Sequence, residues 1–287
     1  MIRTARLWVL AAAVLFSTGG TAIKLSDLSS WQISGLRSAI AALVLTAVMP
    51  SWRSWWRPPC LAVGVVFGAT LALFVLANTL TTAANAIFLQ YSAVLYVLVL
   101  GPKWLGEPNR KGDALLILVQ AAGVGLLFFG QDVASSTAPD PALGNWVGAA
   151  TGVTWALTLI GLRWLSLRDD VVEASGAAVI AGNVFACLVS LPMALPVSAP
   201  STVDWGVVLY LGFVQTALAY GCLLRGTRAL RAIEVSLLLL LEPIASALWA
   251  WMVLGEIPSL SSLVGCALIF AGVVTQTLRV QGDAEAC

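Results

Sequence analysis

The sequence predicts an all-α polytopic membrane protein with ten transmembrane helices, arranged as two inverted five-helix repeats around a central cavity. Three observations predict this class. Of the 287 residues, 60% are hydrophobic and only 10% are charged, whereas a soluble domain carries roughly a quarter charged residues. Nearly uncharged windows recur along the chain, each about 20 residues long, which is the length that crosses the hydrocarbon layer as a helix. Finally, short sequence words recur between the two halves of the chain.

Proline residues, charge clusters and polar turns delimit the individual spans. We expect spans at 5–24, 30–49, 60–80, 84–101, 113–130, 143–163, 172–191, 203–224, 233–254 and 259–279. The apolar runs are continuous, which excludes the alternating strands of a transmembrane barrel. Pro243 lies inside the ninth span, where its missing N–H predicts a kink. The expected organisation is a first repeat at 1–130, an outer connection at 131–142, an inverted second repeat at 143–279 and a cytoplasmic tail at 280–287.

The distribution of basic residues predicts the orientation. If the N-terminus is cytoplasmic, all of the 15 basic residues except Lys24 and Arg37 fall on the cytoplasmic side. Cytoplasmic connections are enriched in Lys and Arg, so we expect a multi-pass protein of the bacterial inner (plasma) membrane with both termini cytoplasmic. The first segment also resembles a secretory signal peptide. Its counterpart later in the chain favours a retained span.

Two three-residue sequences of the first half recur in the second half at the same offset. Leu105-Gly106-Glu107 recurs as Leu254-Gly255-Glu256, and Ala122-Gly123-Val124 recurs as Ala271-Gly272-Val273, both 149 residues later (254 − 105 and 271 − 122). Because each unit has an odd number of spans, the second unit enters the membrane upside down. Inverted repeats around a midplane site are typical of alternating-access transporters. Chance recurrence of short apolar words is the alternative.

Several motifs resemble one family. Gln215–Tyr220, Leu241-Glu242-Pro243 and Leu254-Gly255-Glu256 are similar to the second repeat of the EamA-type drug/metabolite transporters (DMT superfamily). Leu89-Gln90-Tyr91, followed by Leu105-Gly106-Glu107, resembles the first repeat. The resemblance implies that helices 1, 3, 4, 6, 8 and 9 surround a cavity that helices 5 and 10 buttress.

Within that family the chain most resembles the YddG-type exporters of aromatic amino acids and the dication paraquat. The family often has a proline midway through helix 4, whereas this chain has Val94 there. We therefore expect a kink in the ninth span and none in the fourth.

Two ionisable residues lie well inside spans, where burial of charge is costly and such residues are functional candidates. Glu242, nearly halfway along the ninth span, could bind a substrate ammonium or take up a coupling proton, or it could fix the broken helix to a neighbour. Arg37, in the second span, could hold a carboxylate in a bidentate arrangement. It could instead extend to the interface or pair with a helix end. The resemblance places helix 2 outside the cavity.

The neutral polar and aromatic residues of the spans form the predicted substrate-binding set, together with Glu242. Its other members are Thr18, Asn78, Gln90, Trp155, Gln215 and Tyr220. Amides and hydroxyls can bind amino and carboxylate groups, and aromatic faces accept apolar or cationic ones. For each member, a hydrogen bond between helices is the alternative. Pro243, Glu107 and Glu256 are predicted kink or gate residues, although the two glutamates also suit helix-terminal turns.

Other sequence features predict packing. Gly144, Gly148 and Gly152 form a ridge on the sixth span, and Gly64 and Gly68 form another on the third, as in close helix packing. Tryptophans near the span ends, such as Trp104 and Trp146, are typical of interfacial anchors.

The amino-acid composition argues against several classes of function. Histidine is absent, and the five cysteines form no CxxC pair, so we expect no metal, no cofactor and no enzymatic activity. A net charge of +1 gives no reason to expect a nucleic-acid partner. The expected function is a secondary transporter that exports amino acids, broadly and including aromatic or apolar ones, and related small metabolites.

A proton-coupled drug or dication exporter is one alternative, and a non-transporting membrane subunit or lipid flippase component is another. The absence of histidine and of a second intramembrane carboxyl favours movement of substrate down its own gradient. The expected partners are the small-molecule substrate and the lipid bilayer, and a homodimer is left open.

Overall fold

A computed structural model of the protein describes residues 2–104, 113–129, 134–166, 174–197, 200–227, 238–239 and 241–286. In the first half the α-helices are α1 Ile2–Ser17, α2 Gly19–Lys24, α3 Ser30–Val48, α4 Pro58–Leu80, α5 Ala83–Tyr91, α6 Ala93–Trp104 and α7 Asp113–Phe129, with a 3-10 helix at Pro50–Arg53. The second half contains α8 Pro141–Ser166, α9 Ala174–Ala194, α10 Thr202–Leu209, a π-helix at Tyr210–Leu218, α11 Ala219–Thr227, α12 Leu241–Leu254 and α13 Leu260–Ala286.

Among the residues that the structure describes, six helical stretches are long and apolar enough to cross a membrane. They are Arg3–Lys24, Ser30–Val48, Pro58–Leu80, Ala83–Trp104, Ala174–Ala194 and Thr202–Leu223. Shorter apolar helices occupy Ala114–Phe128, Leu241–Leu254 and Leu260–Thr275. The all-helical, multi-pass class is therefore confirmed. The count of ten spans stays a prediction, because the shorter helices fall below the roughly 20 residues that cross the hydrocarbon layer.

Polar caps set the helix ends at one end of the bundle, which we call the Lys24 end. The Ser29 side chain caps α3 in a capping box with Gln32, and Thr82 caps α5. Asp204 forms a capping box with Ser201 at the start of α10. These caps satisfy N–H groups that have no partner within their helices, and so fix where each helix begins.

The helices α7 and α13 contact each other in a reciprocal pattern. Gln120 Nε2 donates to the carbonyl of Ile269 at 3.1 Å, and a Cβ at Gly123 would lie 2.8 Å from the Ile269 side chain. A Cβ at Gly272 would lie 2.4 Å from Gln120 Nε2. At the offset of 149, Gln120 corresponds to Ile269 and Gly123 corresponds to Gly272. Gly123 therefore contacts the counterpart of Gln120, and Gln120 contacts the counterpart of Gly123. Reciprocal contacts indicate an internal two-fold relation.

The glycine ridges pack helices closely, as predicted. A Cβ at Gly144 would lie 2.6 Å from the Thr81 backbone nitrogen, and one at Gly152 would lie 2.5 Å from the carbonyl oxygen of Leu89. On α4, a Cβ at Gly68 would lie 2.5 Å from the carbonyl of Gly182 in α9. Only glycine allows these backbones to approach so closely.

The fourth span is not continuous, contrary to the expectation that it has no kink. The fourth span is interrupted at Ser92, between α5 and α6, although no proline is present there. Gly152 of α8 lies against this interruption, where its Cβ would meet Ser92 Oγ at 2.5 Å. In the ninth span, helix is described at 238–239 and at Leu241–Leu254, and Pro243 lies in the second of these stretches. The last helix continues to Ala286, through most of the predicted tail.

Candidate functional site

The first span is broken at Thr18, between α1 and α2. Thr18 Oγ1 donates to the carbonyl of Leu15 at 2.7 Å and lies 2.7 Å from Tyr210 Oη. Since the threonine hydrogen is used by Leu15, Tyr210 is the donor of that second bond. Gln215 Nε2 donates to the carbonyl of Phe16 at 3.5 Å. Side chains from the second half of the chain therefore bind the polar groups at the break in the first half.

The π-helix at Tyr210–Leu218 supplies both of these side chains. Its nine residues have a wider turn than an α-helix, and such turns are frequent at functional sites. Thr216 Oγ1 donates to Gln215 Oε1 at 3.1 Å and so orients the amide. A Cβ at Gly19 would lie 2.7 Å from Gln215 Nε2. The absence of a side chain at this glycine, just after the break, therefore leaves room for the Gln215 amide.

Asn78 lies on the other side of the same break. It is fully buried and donates to the carbonyl of Phe74 one turn earlier, at 2.9 Å. A Cβ at Gly20 would lie 2.7 Å from Asn78 Oδ1. The hydrogen bond lies within α4, and the contact with Gly20 places Asn78 where α2 packs against α4.

Four aromatic residues from four spans form what we call the aromatic cluster, Phe16, Phe67, Trp155 and Tyr220. Tyr220 meets Phe16 edge to face at a centroid distance of 5.0 Å and Phe67 at 5.7 Å. Phe67 also lies 6.2 Å from Trp155. The predicted residues Trp155 and Tyr220 are thus brought together through Phe67. Two members come from each half of the chain.

Glu242 is paired with a tyrosine of the first half. Tyr91 Oη lies 3.0 Å from Glu242 Oε2 and 3.2 Å from the carbonyl oxygen of Leu239. Leu239 is four residues before Pro243, so its carbonyl lacks the usual α-helical donor. The Tyr91 hydroxyl is close enough to donate to the Leu239 carbonyl in place of the missing backbone N–H. Gln90, the preceding residue, is partly buried, and its side-chain amide has no hydrogen bond to another described residue.

A buried ion pair lies at the Lys24 end. Lys24 Nζ is 2.9 Å from Glu256 Oε1, and their side chains are 3% and 4% exposed. Glu256 Oε2 accepts from the backbone N–H of Ala83 at 2.9 Å. Lys24 Nζ also donates to the carbonyls of Thr81, at 2.7 Å, and Thr137. The pair therefore connects the ends of α2, α5 and α12 with the connection at 134–140.

The structure separates the predicted site residues into groups. Thr18 and Gln215 both lie at the first break, where they contact Tyr210 and Phe16 respectively. Trp155 and Tyr220 share the aromatic cluster, and Glu242 lies beside Tyr91. Asn78 lies against Gly20 of α2, and Glu256 lies at the end of the bundle. Glu107 lies outside the described residues.

Sequence reasoning missed three polar contributors. Tyr210 and Tyr91 each contact a predicted residue, and Trp249 Nε1 donates to Ser17 Oγ at 3.1 Å, beside the first break. Each carries a hydrogen-bond donor on a ring well inside a span. That combination was available as a signal, because tryptophans and tyrosines that anchor at the interface lie near span ends.

The contacts define a polytopic α-helical membrane protein whose candidate site combines two similar halves. The chain belongs to the EamA-like transporter family, whose model matches residues 3–129 and 142–277. The family lies in the drug/metabolite transporter superfamily, and its members are transporters rather than enzymes. The two matched stretches agree with the two-repeat layout.

Comparison with solved structures supports the same fold. One of 23 matching chains, described only as the crystal structure of a protein, is 22% identical and superposes with a TM-score of 0.63. The match covers 97% of this chain and 98% of that chain. No curated protein matches the chain.

Proposed function

We propose that the protein is a secondary transporter that exports amino acids, including aromatic and apolar ones, and related small metabolites by alternating access. One observation carries the proposal: the first break, the aromatic cluster and the Glu242 pair each combine residues of both halves. Thr18 lies beside Tyr210, and Tyr91 lies beside Glu242. A movement of one half relative to the other would therefore rearrange the whole site, as alternating access requires.

The chemistry of the site supports an amphiphilic substrate. The aromatic cluster offers faces for an apolar or aromatic side chain. Gln90 and Gln215 offer amides, and Glu242 offers a carboxylate for an ammonium group. Amino acids carry this combination of groups. The resemblance to YddG-type exporters points to the same substrates.

A proton-coupled exporter of drugs or dications is the second candidate, and Glu242 is the observation that favours it. A carboxylate inside a span can attract a cation or carry a proton. The two candidates differ in one measurable property, because proton coupling requires flux to respond to an imposed pH gradient. Family membership favours either of them over a non-transporting subunit or flippase component.

The proposed setting is the bacterial inner membrane with both termini cytoplasmic. The excess of Lys and Arg on one side supports this orientation. In the proposed organisation, residues 1–130 and 143–279 are inverted repeats, joined by an outer connection at 131–142 and followed by a tail at 280–287. The substrate-binding set proposed here is Thr18, Asn78, Gln90, Trp155, Gln215, Tyr220 and Glu242.

A transport assay with purified protein in lipid vesicles tests the proposal. A panel of labelled amino acids identifies the substrate, and Gln90→Ala, Gln215→Ala and Trp155→Ala then test the site. Loss of one hydrogen bond costs about 0.5–1.5 kcal/mol, so each glutamine variant should weaken apparent affinity about two- to tenfold.

Two matched controls distinguish the site from general damage. Trp146 lies on α8 like Trp155 but is 67% exposed, so Trp146→Ala should leave affinity unchanged. Gln120→Ala removes a buried amide that bonds Ile269 and is not a member of the proposed substrate-binding set, so it should lower stability without changing affinity. If the three site variants fold and transport like the wild type, the site lies elsewhere.

A further inference from the structure

Arg37 is a buried cation that the proposed function does not use. It lies in the middle of α3 and is 2% exposed. Its Nη2 donates to the carbonyl of Leu71 in α4 at 2.9 Å. Within the described part of the chain its guanidinium has no other hydrogen bond and no carboxylate partner. A guanidinium carries five N–H donors, so a single backbone bond leaves most of them unused.

Several contacts place Arg37 beside the candidate site. Its carbonyl oxygen would lie 2.8 Å from a Cβ at Gly212, so its backbone packs against the π-helix that carries Gln215. Leu71, which accepts from Arg37, packs in the same apolar cluster as Trp155 and Tyr220.

Electrostatic interaction links Arg37 to Glu242, the other ionisable residue that the sequence analysis places well inside a span. Tyr220 lies within electrostatic range of both Arg37 and Glu242. The phenol ring therefore has a cationic group and a carboxyl group in its neighbourhood, one from α3 and one from α12.

We propose that Arg37 binds the carboxylate of the substrate and that, together with Glu242, it makes the site selective for zwitterions. This inference rests on the proposed function and names the substrate class of the same site. It also adds helix 2 to the elements that contact the substrate. The family resemblance places that helix outside the cavity.

Charge balance supports this assignment. A buried cation without a counter-ion is unfavourable in a membrane, and such residues face a binding site or pair with another charge. A substrate carboxylate can accept two parallel N–H bonds from a guanidinium. A zwitterion would satisfy Arg37 and Glu242 together. A dication would leave Arg37 without a counter-ion and add a repulsive charge, so the assignment argues against the dication exporter.

A purely structural Arg37 would tie α3 to α4 through Leu71 and leave substrate selectivity unchanged. Selectivity therefore distinguishes the two roles. L-phenylalanine and L-phenylalaninamide share the ring and the amino group and differ in the carboxylate. 3-Phenylpropanoate keeps the carboxylate and lacks the amino group.

The experiment measures binding of these three compounds to the purified full-length protein, followed by their flux in vesicles. The variants are Arg37→Met, which removes the positive charge, and Arg37→Lys, which keeps the charge but lacks the planar guanidinium with its paired N–H donors. Arg53→Met is the matched control, because Arg53 is exposed on the short helix beside Trp52. We expect wild-type protein to bind phenylalanine at least about tenfold tighter than its amide, since charge-assisted bonds are about twice as strong as neutral ones.

In Arg37→Met the ratio between acid and amide should fall to about twofold or less, as expected when the charged bond is lost. Arg37→Lys should keep an intermediate ratio, and Arg53→Met should keep the wild-type ratio. The assignment is overturned if folded Arg37→Met keeps the wild-type ratio. It is also overturned if the wild type binds the amide as tightly as the acid or binds none of the three compounds, whether or not Arg37→Met folds.

The two readouts separate this inference from the proposed function. Wild-type binding that prefers the acid, without flux of any amino acid, refutes the transporter proposal and leaves the role of Arg37 intact. Flux of phenylalanine in vesicles, without tighter binding of the acid than of the amide, refutes the role of Arg37 and leaves the transporter proposal intact.

Discussion

Replacing Glu256 with Gln should weaken closure of the Lys24 end by a large factor. Lys24 Nζ and Glu256 Oε1 are 2.9 Å apart and both side chains are almost fully buried. Removal of one partner from a buried ion pair costs about 3–5 kcal/mol, because the other charge stays buried without compensation. That energy corresponds to a shift of roughly 100-fold to several thousand-fold toward conformations in which Lys24 reaches water. Gln can still accept from the N–H of Ala83, so the substitution tests the charge alone.

The assay is labelling of a buried cysteine at that end of the bundle. Ala138 is 1% exposed and follows Thr137, whose carbonyl accepts from Lys24. In a background without the native cysteines, Ala138→Cys should react slowly with a water-soluble maleimide. Adding Glu256→Gln should increase the rate strongly.

A double-mutant cycle identifies the cause. Lys24→Met combined with Glu256→Gln leaves no uncompensated charge, so the double variant should react more slowly than Glu256→Gln alone. Unchanged labelling in Glu256→Gln, or effects of the two substitutions that simply add, would refute a closing role for the pair. Exposure of Ala138→Cys in every variant, including the unsubstituted pair, would show that this end is open in the membrane.

Three further outcomes are expected. A cysteine at Ser135 should react with an impermeant reagent in intact cells, and reaction only after permeabilisation would reverse the proposed orientation. Glu242→Gln keeps an acceptor for the Tyr91 hydroxyl but removes the charge that binds the substrate ammonium, so downhill exchange should persist with a weaker apparent affinity and an unchanged response to a pH gradient; selective loss of gradient-driven accumulation would instead establish proton coupling. Gly148→Ala should lower the melting temperature, since overpacking costs about 1–3 kcal/mol, whereas Gly206→Ala, where a Cβ meets nothing within 4 Å, should not.

The helical class and the two-repeat layout could be predicted because the bilayer leaves few choices. Within the hydrocarbon layer each backbone polar group must find a partner in the protein, so a continuous apolar run forms a helix. The repeat was visible because Gly123 and Gly272 occupy equivalent close contacts between α7 and α13, against Ile269 and Gln120 respectively. Positions without such a constraint have diverged, so only short words remain.

The break at Ser92 was not predictable from local sequence. Proline was the expected cause of a helix break, and the fourth span has none in its middle. The structure instead places Gly152 of another helix against Ser92, a contact between residues far apart in the sequence. The break is therefore associated with tertiary packing that a pass along the chain does not reveal.

The candidate site was predictable only in part for a related reason. Thr18 and Gln215 were identified because polar groups inside spans are costly and usually have partners. The identity of the partner depends on which helices are adjacent. Lys24 was identified as a basic residue at a span end, but its pairing with Glu256 required the arrangement of α2 and α12.

The contacts across the two halves differ in strength, and this difference indicates where a rearrangement would meet resistance. The bond from Gln215 to Phe16 is long at 3.5 Å, and the single hydrogen of the Tyr91 hydroxyl faces two acceptors. A bond this long is weak, and a hydrogen shared between two acceptors satisfies neither of them fully, so these contacts contribute little net free energy. The Lys24–Glu256 pair is buried and charged, and separating it exposes two ions at once. Opening at the Lys24 end should therefore be the costly step, and the site between the halves should adapt around its substrate at much lower cost.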